Sequence, residues 1–342
     1  MHYTVQQWLL FFYIYCFVGW CFESAYVSIR KKRFVNRGFL HSPLLPIYGS
    51  GAVVMLLVTI KIRDHIVLMF FAGMIGATAL ELAVGLIMEA VFKIKYWDYS
   101  NQRFNFKGVI CLSSSLCWGL FTVLLNKWIH KPVESFVLGL PDLAVTIAVS
   151  VISVVFICDT VVSVRVALGL RDMLDAVSHV RKEFEEMRGQ FSERVALMRK
   201  NITEKSGAAG ERLNVLLDSV GEKLTDLSGS VGGRLEDLID ATNEKLNALL
   251  RLAEDRDIAG TSSLSRLSER LKALKKEYES QEKKISWLEI KMLKRNPSAT
   301  SRKFSEEFSI FRSEQFRQYE QRRKAKKEER RKRRSLGNKK TP

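Results

Sequence analysis

Apolar positions fall into long uninterrupted runs before residue 169 and into a three-and-four spacing after it, so two kinds of helix are predicted along one chain. Four runs, about 5–29, 66–92, 109–129 and 143–168, approach or exceed the roughly 20 residues that a helical membrane span needs. A fifth, 44–62, is shorter and starts irregularly, because Pro43, Pro46, Gly49 and Gly51 fall within or beside its first turns. The first run does not read as a cleavable signal: it lacks a basic leader, carries Glu23 and shows no small-residue cleavage pattern.

After residue 170 the pattern changes. Leu170, Met173, Leu174, Val177, Val180, Phe184, Met187 and Phe191 continue the last run as an amphipathic helix. Leu213, Leu217, Val220, Leu224, Leu227, Val231 and Leu238 follow a heptad seam, interrupted by Arg234 and weakened by Gly221, Gly229, Gly232 and Gly233. Linkers are expected around 206–210 and 258–263, and a further helix over 264–293 that stops before Pro297. The expected fold is all-α: a polytopic bundle of about five spans over 1–169, a cytoplasmic helical coiled-coil tail over 170–295, and a basic, largely disordered C-terminus over 296–342.

Charge sets the orientation. The net charge of +17 conceals an apolar first half and a charged second half. The connections holding Arg30, Lys31, Lys32, Arg33 and Arg37, and Lys93, Lys95, Arg103 and Lys107, fall on one side with the tail. By the positive-inside rule that side is the cytoplasm, which places the N-terminus outside a multi-pass cell-membrane protein. The run of Lys and Arg over 322–340 reads first as a contact for anionic lipid, the nearest anionic surface; nucleic acid ranks last, since stacking aromatics are absent from the run. The heptad seam predicts a homo-oligomer.

Candidate chemistry lies in the spans. Gly73, Ala77, Glu81, Gly85 and Glu89 recur every four residues, so small and acidic residues share one slowly rotating stripe of a helix. Gly19 and Glu23 repeat the spacing on the first span. A carboxylate at membrane depth is costly and by default faces the bundle interior, a cavity or a partner. Glu81 has no local cation, whereas Glu89 can pair with Lys93 and Glu23 with the Arg30 cluster. Near the end of the acidic span gather Trp97, Asp98, Asn105, Cys111 and Ser114. Pro43, Pro46, Tyr48 and Gly49 predict a broken-helix turn whose freed backbone groups something must satisfy. The five cysteines offer no CxxC and no extracellular pairing framework, so neither a metal nor a cofactor is predicted. No phosphate-binding loop, His-Glu-x-x-His or Gly-x-Ser-x-Gly occurs, and no enzyme activity is expected.

These motifs carry a resemblance. Gly-Trp-x-x-Glu at 19–23, Arg-Gly-Phe-Leu at 37–40, Pro-x-x-Pro-Ile-Tyr-Gly at 43–49, Glu81 with Glu89, Trp-Asp-Tyr-Ser at 97–100, Asn105, Gly-x-Ile-Cys-Leu at 108–112 and Trp118-Gly119 occur in one collinear series. Over the first half the chain resembles the Putative ABC-transporter type IV permeases, the CmpB-like bacterial membrane proteins. The family pattern has glycine where this chain has Ser42. The resemblance implies a permease-like protein that handles a small ligand with energy from a separate ATPase subunit. The rival expectation is a non-transporting scaffold acting through its tail, with an intramembrane enzyme using Glu81, Glu89 and Cys111 behind both.

Overall fold

Thr4 starts the first helix by a reciprocal capping box. Its hydroxyl accepts from the Gln7 amide at 3.3 Å, and its own amide donates to the Gln7 side chain at 2.9 Å. The computed structural model describes residues 3–203, 208–228, 233–254, 261–282, 287–309, 312–313 and 317. Among them the chain is helical apart from one two-stranded ribbon and its connections. The basic run 322–340, Val231, and residues 206–207 and 258–260 of the expected linkers lie outside the described residues, while 208–210 and 261–263, expected in the linkers, are helical.

Contacts divide the chain into two units, one formed by 1–171 with 287–303 and the other by 172–286 with 304–342. In the first unit, α1 (Val5–Lys31), α2 (Pro46–Thr59) and α3 (Ile66–Phe92) pack in sequence order, and α3 also packs on α4 (Leu112–Leu124). Between α3 and α4 a short antiparallel ribbon pairs β1 (Asn105–Phe106) with β2 (Ile110–Cys111). A π-helical turn, Leu125–Ile129, joins α4 to α5 (His130–Leu138), and its flanking residues keep right-handed helical dihedrals. Pro132, just beyond it, has no amide to donate back, so the widened turn accommodates the proline without breaking the helix. The long α6 (Asp142–Thr203) begins in this unit.

Among the described residues three helices, α1, α3 and α6, are long and apolar enough to cross a membrane, while α2 is a shorter apolar helix. Their outward faces carry large apolar side chains in numbers that water would not tolerate: Phe17, Phe22, Val67, Phe71, Ile75, Ile87, Val151 and Val154 are all exposed. Lipid offers no hydrophobic drive for helices to associate, so close packing of small residues does the work. At Gly19 a Cβ would overlap the Tyr48 ring, and at Gly85 it would overlap Val109. Apolar residues of α1, α2, α3, the π turn, α5 and α6 close one core, with Phe11, Leu56 and Val137 fully buried.

The expected broken helix at Pro43–Gly49 takes a different form. Pro46 occupies the first position of α2, where its missing amide would have had no helical partner. The Leu45 amide, just ahead of the helix, reaches back to the Cys16 carbonyl of α1 at 3.0 Å. Gly49 then lies inside the helix, where a Cβ would come within 2.6 Å of the Phe12 carbonyl oxygen.

In the second unit, the later part of α6 joins α7 (Ala208–Ser228), α8 (Gly233–Glu254) and α9 (Thr261–Glu282) around one core. Leu217, Val220, Leu224 and Leu227 of the expected seam are buried there against residues of their own chain, including Phe184, Met187, Leu246 and Leu271. The described helices of this stretch are α7, up to Ser228, and α8, from Gly233.

Candidate functional site

Helix α3 turns its stripe inward. Gly73, Ala77, Glu81 and Gly85 are buried, and Glu81 is only 4 % exposed. Its carboxylate accepts from the Trp118 indole at 2.9 Å, the Tyr99 hydroxyl at 3.2 Å and the Ser114 hydroxyl at 3.4 Å. Every partner is neutral. Burial, followed by the neighbouring carboxylate, raises the Tyr99 phenol well above its ordinary value, so Tyr99 stays a donor.

A second carboxylate, Glu23, joins the cluster through Tyr48. The Tyr48 ring packs against Trp118 with centroids 5.8 Å apart, and its hydroxyl donates to Glu23 at 2.9 Å. Glu23 also faces the Arg37 guanidinium at 3.5 Å. Tyr48 and Trp118 line a cavity of about 150 Å³ together with Gly19, Phe22, Met55 and Phe121. The two carboxylates thus stand behind an aromatic wall, each hydrogen bonded to one of its rings.

The remaining predicted residues shape the connection between α3 and α4. Asn105 closes the ribbon loop, donating to the Gln102 carbonyl at 2.7 Å and accepting from the Gly108 amide at 3.1 Å. Gly108 itself adopts a φ of +64° in a space crowded by Ser100 and Asp98, so a side chain there would be strained twice over. Burial works to raise the Asp98 carboxyl, but hydrogen bonds from Ser100 and Thr300, with Lys95 beside it, hold it below its ordinary value. Burial depresses the Lys95 ammonium, which donates to the Lys107 carbonyl at 2.6 Å. Trp97 donates to the Val109 carbonyl at 2.9 Å, and Cys111 caps α4 in a reciprocal arrangement with Ser114. Glu89 pairs with Arg302 at 3.7 Å, where the sequence suggested Lys93. Of the predicted set, the structure gathers Glu23, Tyr48, Glu81 and Ser114 around Trp118; Trp97, Asp98, Asn105 and Cys111 serve the neighbouring loop. Among the described residues no group of His, Cys, Asp and Glu could hold a metal ion.

Three features escaped the sequence reading. Arg37 anchors a returning segment, donating to Asn296 at 3.0 Å, Ser298 at 3.1 Å and the Tyr96 carbonyl at 3.3 Å. Asp159 of α6 accepts from the His41 amide at 3.0 Å and the Ser42 amide at 2.6 Å, and lies 3.1 Å from the His41 ring. His130, beside the π turn, is buried with its ring 2.8 Å from the Tyr15 hydroxyl. Asp159 carried a readable signal, since it is the sole carboxylate inside the last apolar run. His130 gave none, because Tyr15 lies more than fifty residues away in sequence; Arg37 was visible only as a charge of the first basic connection and in the Arg-Gly-Phe-Leu series, since Tyr96, Asn296 and Ser298 are equally distant.

No curated protein and no solved structure matches the chain. Residues 10–164 match the family model described as Putative ABC-transporter type IV, and over this first half the chain carries that family's pattern.

Proposed function

We propose that the chain is a permease-like membrane subunit whose aromatic cavity handles a small amphipathic cation. The observation that carries this reading is the pairing of an apolar, ring-lined cavity with two carboxylates hydrogen bonded to its rings, the buried Glu81 to Trp118 and the half-buried Glu23 to Tyr48. Aromatic faces attract cations, and the attraction grows as water is excluded. Glu81 has no cationic partner among the described residues, so a bound cation would complete its charge balance. Energy would come from a separate ATPase subunit docking at the basic connections, since this chain holds no phosphate-binding loop. No reaction is assigned to the chain itself.

In this reading five segments cross the membrane, α1, α2, α3, the joined α4–α5 and the first part of α6, with the basic connections and the tail in the cytoplasm. Reporters fused after Arg33 and near Pro132 should then report opposite sides; the same side from both sinks the five-span arrangement.

The ligand assignment is tested with phenethylammonium as probe. The purified full chain should gain thermal stability in proportion to the logarithm of probe concentration once the site fills. Glu81→Gln should lose most of that gain. Equal responses from the two proteins would remove Glu81 from ligand handling.

A second reading rests on the tail. Residues 172–282 bury a core of their own, so the soluble unit could act as a scaffold while the acidic stripe only holds the bundle together. Oligomerisation through the tail would then use a surface other than the buried Leu217–Leu227 face.

A further inference from the structure

At the end of α3 the surface opens into a cavity of about 550 Å³ that the acidic cluster does not use. Its floor is Leu86 and Ala90, one turn apart on the last turns of α3, and its rim is cationic: Lys93, Lys107, Arg302 and Lys303. Among the described residues Glu89 is the one carboxylate in the lining, and it faces Arg302 at 3.7 Å. Among the described residues, neither Lys93 nor Lys107 has a carboxylate partner. Positive charge therefore exceeds negative around a space far larger than one ion.

We propose that this cavity binds the headgroup of an anionic phospholipid, with the upper part of an acyl chain along Leu86 and Ala90. The cations stand where a membrane-crossing helix ends, which is headgroup depth, and the apolar floor continues toward the lipid-exposed side chains Ile87 and Val91. A soluble phosphate compound would satisfy the rim and leave the floor uncovered. Lys93 and Lys107 also sit at left-handed backbone positions, with φ of 57° and 52°. Asparagine tolerates that conformation better than most residues, so it removes the charge without straining the chain. This inference is independent of the ligand proposed for the aromatic cavity.

The test uses the full chain in detergent, titrated with short-chain phosphatidylglycerol, short-chain phosphatidylcholine and inorganic phosphate. Phosphatidylglycerol should bind at least tenfold more tightly than phosphatidylcholine, weaken as salt rises, and resist displacement by an equal concentration of phosphate. The double variant Lys93→Asn with Lys107→Asn should bind phosphatidylglycerol roughly thirtyfold more weakly. Replacement of both by arginine should keep the preference. Equal binding of the two lipids by the wild-type chain, or a preference indifferent to salt, would overturn the proposal without recourse to any variant. Displacement by phosphate alone would assign the cavity to a free anion instead, and undiminished binding by a folded asparagine variant would remove the two lysines from the site.

Discussion

Glu81 shows what one residue in a span can disclose and what it cannot. Its four-residue spacing from Gly73, Ala77 and Gly85 made the inward stripe legible, because helical periodicity is local. Its partners Tyr99, Ser114 and Trp118 were visible only as polar or aromatic residues farther along the chain. Glu81→Gln keeps an acceptor for the Trp118 indole, whereas Glu81→Leu leaves that donor and two hydroxyls unsatisfied. The leucine variant should therefore lose about 1–3 kcal/mol more than the glutamine variant, read from thermal unfolding in detergent. Equal losses would mean that the donors find other acceptors.

Asp98 supplies a pH-dependent counterpart outside the spans. Its folded carboxyl titrates below the ordinary value of 3.8, so the folded state binds its proton less readily than the unfolded chain does. The resulting stability is present above pH 3.8 and is lost as pH falls through the lower folded value. Asp98→Asn should flatten that acid limb of the unfolding curve, monitored by tryptophan fluorescence. An acid limb unchanged by the substitution would contradict the assignment.

The long apolar runs at 5–29, 66–92 and 143–168 were readable as helices, whereas 109–129 divides into a strand, α4 and the π turn, and elements made by returning contacts were not readable. The segment from α10 (Trp287–Arg295) to Lys303 carries no long apolar run, and residues 296–303 were expected to belong to the basic C-terminus. Instead the Lys95 and Thr300 backbones exchange hydrogen bonds of 2.8 and 2.9 Å, and the Asn296 side chain donates to the Gly38 carbonyl at 3.1 Å. Arg37 is the side chain on which these contacts converge, buried to 9 % exposure. Arg37→Met should keep much of its stem packing while removing the guanidinium bonds. Faster hydrogen exchange at the Thr300 amide is expected, together with a loss of about 2–3 kcal/mol. Wild-type protection at Thr300 would show that the segment holds without Arg37.

At the scale of the whole chain, the spacing of apolar residues announced two units of different kind, one exposing apolar faces and one hiding them. It could not decide whether the heptad face at Leu217–Leu227 meets a second chain or its own, since both burials ask for the same pattern. In the structure the face is buried within the chain. Leu217→Asp with Leu224→Asp should therefore unfold the second unit by far-UV circular dichroism at every protein concentration. A variant that recovers its helix content when concentrated would instead indicate an intermolecular seam.

The account turns on a cation seated against Tyr48 and Trp118 with carboxylates behind them. The most direct measurement is a crystal structure of the full chain soaked with 4-bromophenethylammonium, in which bromine anomalous scattering locates the probe without reference to surrounding density. The account predicts a peak within the cavity bounded by Tyr48, Trp118 and Phe121, absent from crystals of Glu81→Gln. A peak elsewhere on the molecule with this cavity empty, or equal occupancy in the Glu81→Gln crystals, would contradict it.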